Sequence, residues 1–160
     1  MPKGKRRRTN QGKHCRVSSP GTYALVLFLP RVQTIRVGKL GAFKFPRGYY
    51  IYVGSAMSGL TARIVRHLRE DKKMFWHVDY FLRHASVKEV WTHRGDEQLE
   101  CLWARAALAL PRAKIIAPRF GASDCACPAH LIYFGAAMPK GRKAEEGVSR
   151  RRRHKKAGEA

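Results

Sequence analysis

The chain has 160 residues, and its 33 Lys and Arg against 11 Asp and Glu give a formal net charge of +22. An apolar fraction of 44%, with 7 Phe, 6 Tyr and 3 Trp, supplies one folded core and excludes a wholly disordered chain. No apolar run approaches the ~20 residues that cross a bilayer, and Met1 to Cys15 lack the apolar stretch of a secretory signal, so we expect a cytoplasmic protein without membrane attachment.

The charge is concentrated at both ends of the chain. Residues 1–20 contain seven Lys or Arg and no acid, and residues 139–160 contain nine with three Glu, whereas residues 21–138 contain 17 with eight acids. Neither end has the apolar periodicity of a folded element, so we predict disordered basic arms at 1–20 and 139–160 around one domain, 21–138. The candidate phosphate contacts are Lys5, Arg6, Arg7, Arg8, Arg151 and Arg152. We predict a nucleic-acid partner, DNA rather than RNA, with nucleoid association; a solubility tail is the alternative.

The first half of the domain has the pattern of β-strands. Gly21 to Leu29 is a continuous apolar run that ends at Pro30, and Ile35 to Val37 continues as a second strand. Glycine and proline residues from Gly38 to Gly48 predict a loop or irregular hairpin. Tyr49 to Val53 is then a third strand, which Gly54 ends.

Helical spacing dominates the second half. Ser58 has the character of an N-cap before Leu60 to Leu68, whose Leu60, Ile64 and Leu68 form one stripe, with Arg63 and His67 at its edge. The remaining predicted elements are a helix over Met74 to Ala85, a strand over Val87 to Trp91, a helix over Glu97 to Leu110, a loop over Arg119 to Pro128 and a strand over His130 to Phe134. This order predicts an α+β fold, a small antiparallel sheet of about three main strands flanked by helices.

Three features carry candidate chemistry. Tyr23 and Tyr52 lie in predicted strands, and Gly54 after Tyr52 allows the backbone to turn and approach a ligand, although either tyrosine can also be a packing residue. Arg63, with His67 one turn later, offers a planar fork for phosphate oxygens, while a snorkelling Arg is the alternative.

Glu100 is the third feature, because its helical neighbours Trp103, Ala104, Ala107 and Leu108 are all apolar. A carboxylate on such a face needs either a salt bridge or a metal, and a hard oxygen ligand favours Mg²⁺ or Mn²⁺.

Taken in order, these residues resemble the GIY-YIG nuclease superfamily. Gly21-Thr22-Tyr23 matches its first half-motif and Tyr52-Val53-Gly54 its second; Arg63 follows nine residues after the motif glycine, and His67 and Glu100 complete the set. Within the superfamily the chain is similar to the Uri-type branch, a small stand-alone domain of unknown function, over Gly21 to about Phe134. The gap between the half-motifs is longer than in the well-studied members. A late Asn of many members has no clear counterpart, Asp124 or Ser123 being nearest.

The resemblance implies a DNA endonuclease that hydrolyses phosphodiesters at one divalent metal, Mg²⁺ or Mn²⁺. In that interpretation Glu100 holds the metal, Arg63 stabilises the transition-state charge, and Tyr23, beside Tyr52, orients or deprotonates the attacking water. Lowering a tyrosine pKa from ~10 to ~7 takes about 4 kcal/mol, so His67 is an alternative base. A non-catalytic nucleic-acid-binding module, with or without a zinc staple, is the alternative function, and a zinc-stapled structural adaptor is a third.

The cysteines form a separate candidate site. Cys125, Cys127 and His130 are a compact set of soft ligands, and Cys101 is a candidate fourth, which would make a structural zinc site. Buried thiols, or a nucleophilic Cys-His pair, are the alternatives. His77 with Tyr80 or Phe81 either packs in the core or stacks on nucleic acid.

Overall fold

The computed structural model describes residues 19–140. Its strands are β1 (Gly21–Leu29), β2 (Gln33–Val37), β3 (Gly41–Phe45), β4 (Gly48–Ala56), β5 (Ser86–Arg94) and β6 (Leu131–Gly135). Its helices are α1 (Leu60–Leu68), α2 (His77–Leu82) and α3 (Glu100–Leu108), with a 3₁₀ turn at Gly38–Leu40. The predicted contacts in the two basic arms lie outside the described residues and stay predictions.

The main sheet is antiparallel and has the strand order β5-β1-β4-β6. A second, two-stranded antiparallel sheet consists of β2 and β3. Three helices accompany these sheets, so the predicted α+β class with an antiparallel sheet is confirmed. Within residues 19–140, no helix is both long and apolar enough to span a bilayer.

Strand β1 is buried on both faces, and each face contributes to a separate core cluster. It is central in the sheet, and alternate residues of a strand point to opposite faces. Tyr23, Leu25, Leu27 and Leu29 join the larger core cluster, while Ala24 and Val26 join a smaller one against α3 and β6. A strand buried on both faces has a continuous apolar sequence. This is the pattern that predicted β1.

Two strand predictions were incomplete. The stretch predicted as a loop or irregular hairpin contains β3, which pairs with β2 from Gln33↔Phe45 to Val37↔Gly41. Strand β4 does not end at Gly54 but continues to Ala56, because Gly21 and Thr22 of β1 still pair with Ala56 and Ser55. The extension matters because it places Ser55 in the sheet beside the candidate site.

The start and inner face of α1 also differ from the prediction. The N-cap is Gly59 rather than Ser58, and its φ of 145° is a conformation that glycine adopts without strain. Leu68 is 54% exposed, whereas His67 is 2% exposed. The inward face of α1 is therefore Leu60, Ile64 and His67, a spacing of four and then three residues.

Helices α2 and α3 are shorter than predicted for different reasons. The carboxylate of Asp79 accepts hydrogen bonds from the backbone N–H groups of Phe75 and Trp76, both at 2.9 Å, so α2 begins only at His77. Helix α3 was predicted to begin at Glu97, but Glu97 lies in an exposed bend after β5. The helix begins three residues later, at Glu100.

Candidate active site

The pairing of β1 with β4 places the two motif tyrosines together. Tyr23 lies opposite Gly54 in the ladder, and the ring centroids of Tyr23 and Tyr52 are 6.4 Å apart. Both side chains are buried, Tyr23 at 1% and Tyr52 at 6% exposure. The sheet therefore brings the two half-motifs into one cluster, as the sequence order suggested.

Gly54 is the residue that makes room for Tyr23. A Cβ atom built on Gly54 would lie 2.6 Å from the Tyr23 hydroxyl oxygen and 2.7 Å from its Cζ. Any larger residue would therefore displace the Tyr23 ring. This packing requirement is sufficient reason for a glycine here, in addition to the predicted approach of a ligand.

The Tyr23 hydroxyl contacts His67 of α1. The Tyr23 oxygen lies 2.7 Å from Nε2 of His67, and both side chains are buried. Burial lowers the pKa of His67 to about 4, and burial raises the pKa of Tyr23 to about 12 although the neighbouring Arg63 opposes that shift. At neutral pH the phenol therefore keeps its proton and the imidazole is neutral; in the Nδ1–H tautomer, Nε2 accepts a hydrogen bond from the phenol.

Asp79 lies behind His67. Its Oδ1 is 3.9 Å from Nδ1 of His67, and Nδ1 has no hydrogen-bond partner among the described residues. Arg66 holds the carboxylate with two hydrogen bonds, of 2.9 and 3.0 Å. Burial opposes ionisation of Asp79, but the bonds from Arg66 and from the backbone of Phe75 and Trp76 outweigh it and lower its pKa. A fixed negative charge therefore faces the far side of the imidazole.

Ser55 of β4 contacts both Arg63 and Glu100, the other two predicted catalytic residues. Its hydroxyl donates a hydrogen bond of 2.9 Å to Oε2 of Glu100, and its carbonyl accepts one of 3.2 Å from Nη1 of Arg63. Glu100 is the first residue of α3, and Arg63 lies in the first half of α1. One strand residue thus holds a carboxylate and a guanidinium from two separate helices.

The Arg63 guanidinium lies over an aromatic ring. Its central carbon is 4.0 Å from the Trp76 ring centroid, and that of Arg66 is 4.4 Å from the same ring. The half-buried Arg63 is therefore oriented by Trp76 as well as by Ser55. Beside Trp76, Phe75 is 74% exposed, with its ring centroid 4.7 Å away.

The structure brings all five predicted catalytic residues into one neighbourhood. Burial raises the pKa of Tyr52, and the nearby Tyr23 and Glu100 raise it further. Three supporting residues were missed: Ser55, Asp79 and Trp76. Ser55 directly follows the second half-motif, which is a signal that could have identified it. The contacts of Asp79 and Trp76 depend on how α1 and α2 pack, which the sequence does not show.

Neither nearest candidate for the late Asn joins this cluster, since Ser123 and Asp124 are exposed in the loop before β6. Of the residues predicted either to pack or to stack on nucleic acid, Phe81 packs in the core and the half-buried His77 packs against Phe120. Phe81 is buried, and Nδ1 of His77 accepts a hydrogen bond of 2.9 Å from the backbone N–H of Gly121.

The predicted cysteine site is assembled in the structure. Ligand atoms of Cys101, Cys125, Cys127 and His130 all lie within 4.8 Å of one another, and the cluster could hold a metal ion. All three cysteines are free thiols. A hydrogen bond with Cys127, together with burial, raises the pKa of Cys101 to about 12, because adjacent thiols resist ionising together.

The family model described as "Domain of unknown function DUF123" matches residues 22–157. The chain belongs to this family. The DUF123 match includes both tyrosines, the Arg63–Ser55–Glu100 group and the cysteine cluster. No curated protein and no solved structure matches the chain. The DUF123 name carries no activity, so a proposal for function depends on the site itself.

Proposed function

We propose that this protein is a metal-dependent endonuclease of the GIY-YIG type, in its Uri-type branch, that hydrolyses phosphodiester bonds in DNA. The observation that carries the proposal is the convergence on Ser55, which contacts both Arg63 and Glu100 while Tyr23 and His67 form a hydrogen-bonded pair alongside. Phosphodiester hydrolysis needs these functions together: a cation for the phosphoryl oxygens, a metal-holding carboxylate and a proton acceptor.

Arg63 is the proposed phosphate ligand. Its contacts with Ser55 and Trp76 fix the guanidinium before substrate arrives, so little side-chain freedom is lost on binding. A planar fork suits two phosphate oxygens, and the charge that develops on those oxygens in the transition state strengthens the contact.

Tyr23 and His67 are the proposed route for the proton. With a pKa raised to about 12, Tyr23 keeps its phenolic proton at neutral pH. The pKa of His67, lowered to about 4 by burial, leaves a neutral imidazole that is a weak acceptor on its own, so the Asp79 carboxylate behind it is needed to stabilise the added charge. We assign Tyr23 to orient the attacking water and take its proton while passing the phenolic proton to Nε2 of His67. The water oxygen bonds to phosphorus, the P–O bond to the leaving group breaks, and the leaving oxygen is protonated by solvent. Asp79 then stabilises the imidazolium.

Glu100 fits a divalent cation. Its Oε2 accepts the Ser55 bond, and within residues 19–140 no Lys or Arg forms an ion pair with its carboxylate. Mg²⁺ and Mn²⁺ prefer hard oxygens and are commonly held by one or two carboxylates with substrate phosphates. When bound, such a cation would act as a Lewis acid on the phosphate. The thiol-rich cluster is unsuited to either ion.

The exposed Phe75 is the proposed contact for a nucleobase. It lies beside Trp76, on which Arg63 is stacked, so a base against Phe75 would be next to the phosphate ligand. Aromatic stacking combined with positive charge is the usual basis of binding to unpaired nucleotides.

A non-catalytic nucleic-acid-binding module is the second candidate. The burial of Tyr23 and Tyr52 favours it, because deeply packed phenols are also what a purely structural role requires. Both candidates predict tight, salt-sensitive binding, and only the first predicts strand cleavage.

The deciding assay incubates the full chain with plasmid, single-stranded DNA, flap DNA and structured RNA, in Mg²⁺, in Mn²⁺ and in EDTA. The endonuclease proposal predicts nicking or cleavage of DNA that EDTA abolishes, and weaker or no cleavage of RNA. Salt-sensitive binding of DNA with intact strands under both metals would replace it with the binding-module function.

A further inference from the structure

We propose that Cys101, Cys125, Cys127 and His130 form a structural zinc site that fixes the first turn of α3 to the loop before β6. The inference is separate from the proposed nuclease activity, since it concerns what the four side chains bind. Only the effect of the zinc site on catalysis, through the position of Glu100, rests on the proposed function.

The spacing of the donor atoms fits a tetrahedral ion. Sγ of Cys125 is 3.4 Å from Nε2 of His130, Sγ of Cys101 is 4.0 Å from it, and the whole set lies within 4.8 Å. Zinc with Zn–S bonds of about 2.3 Å and Zn–N bonds of about 2.0 Å separates its ligands by roughly 3.5–3.8 Å. A contraction of about 1 Å at the widest pair would complete the site.

The chemistry of the four ligands favours zinc over Mg²⁺ or Mn²⁺. Three sulfurs and one imidazole form a closed set with no oxygen ligand, which is typical of structural zinc and unfavourable for Mg²⁺ or Mn²⁺. Cys127 is 8% exposed and His130 is 2% exposed, so the ion would be shielded from solvent on that side. Zinc with three thiolates carries one net negative charge, and the guanidinium of Arg119 is adjacent to offset it.

Contacts to the backbone hold three of the four ligands, Cys125, Cys127 and His130, in place. Arg119 donates hydrogen bonds of 2.6 Å to the carbonyls of both Cys125 and Cys127. His130 is fixed by its N–H bond of 2.7 Å to Phe120 and by its carbonyl, which accepts a 2.9 Å bond from Val53 of β4. The loop is thus organised around the cluster by contacts that use none of the ligand atoms.

The site would anchor a helix end that lacks a side-chain cap. Helix α3 begins at Glu100 without a side-chain hydrogen bond from its N-cap residue, Leu99. Cys101 is the next residue, so a bond from its sulfur to zinc would anchor the first turn to the loop that precedes β6. The same bond would hold Glu100 beside Ser55 of β4.

The test uses the full chain, loaded with Zn²⁺ and passed through a desalting column. We expect one zinc per chain by elemental analysis in the wild type and in Cys15→Ser, and at least a tenfold loss in Cys125→Ser. Cys15 lies outside the described residues, so its replacement is a matched control for removing one thiol.

A second measurement, thiol reactivity of the wild type, does not depend on whether Cys125→Ser folds. In the zinc-loaded wild type we expect Cys101, Cys125 and Cys127 to react with a thiol reagent only after chelator is added. Replacing zinc by Co²⁺ should give thiolate-to-cobalt charge-transfer absorption. Less than 0.1 zinc per chain after loading, with Cys101, Cys125 and Cys127 reactive before chelation, would overturn the site.

Discussion

The hydroxyl of Tyr23 lies 2.7 Å from Nε2 of His67, and this contact joins the first strand to the first helix inside the core. The pKa of His67 is lowered to about 4 by burial, so the imidazole is a neutral acceptor at physiological pH. A phenol that donates to such an acceptor can pass on a proton without becoming a free phenolate. This relationship is the basis of the proton route assigned above.

Removing the Tyr23 hydroxyl should therefore affect chemistry more than folding. Tyr23→Phe keeps the ring that packs between His67 and Tyr52 but deletes the proton path. We expect kcat on DNA to fall about 10²–10⁴-fold, the usual contribution of a positioned acid or base. Tyr49→Phe, on the same sheet and outside the cluster, is the control and should cleave normally. A fully active Tyr23→Phe would remove Tyr23 from the proton route.

Arg63 should be needed for its charge and also for its shape. Arg63→Ala is expected to reduce kcat/KM about 10²–10³-fold, because a preorganised donor to the developing phosphoryl charge is lost. Arg63→Lys should recover only part of this, since an ammonium lacks the planar fork. The matched control is Arg69→Ala, at the exposed end of the same helix. Equal losses in both alanine variants would point to general electrostatics instead of a site role.

Gly54→Ala tests the packing of Tyr23. The added Cβ would lie 2.6 Å from the Tyr23 hydroxyl, so the ring must move away from His67. We expect a loss of stability of about 1–3 kcal/mol, the range for overpacked cores, with loss of cleavage in the protein that remains folded. Thermal unfolding and cleavage are measured on the same preparation. Wild-type values for both would contradict the geometry of this contact.

The buried His67 predicts a specific acid sensitivity. Its folded pKa of about 4 is below the unfolded value of 6.5, so the unfolded state binds more protons between these values. The contribution of His67 to stability is complete above pH 6.5 and is lost as the pH falls towards 4. Between pH 7 and pH 4.5 this loss is about 2.5 kcal/mol.

His67→Gln should lack that component. Denaturant unfolding at both pH values should show the wild type losing about 2.5 kcal/mol more than the variant, because the two proteins share their other titrating groups. Parallel losses in the two proteins would show that His67 is not buried as a neutral imidazole.

Sequence reasoning identified the elements and site residues that depend on local pattern. The apolar run of β1 and the glycine after Tyr52 are features of adjacent residues, and so is the spacing from Gly54 to Arg63. Local pattern does not predict which residues of distant strands lie opposite each other. That Tyr23 lies opposite Gly54 is a property of strand register, and the register is set by the whole sheet.

The position of His67 shows the same limit. The apolar stripe of Leu60, Ile64 and Leu68 predicts that Leu68 faces the core. In the structure, His67 instead packs against the two tyrosines and Leu68 is exposed. The hydrogen bond to Tyr23 offsets the cost of burying an imidazole, and only the tertiary partner makes that possible. Ser55 is similar, since its role exists only because the first halves of α1 and α3 both lie beside β4.

The central claim is that Glu100 holds the divalent cation of a DNA-cleaving site, and a paired kinetic measurement tests it most directly. Cleavage by wild type, Glu100→Gln and the exposed control Glu97→Gln is followed across a Mn²⁺ titration, with folding checked by thermal unfolding. We predict saturable, metal-dependent cleavage by wild type and Glu97→Gln, and at least a 10²-fold lower rate for folded Glu100→Gln at every metal concentration. Equal cleavage by all three proteins, or rates that do not depend on metal, would contradict the account.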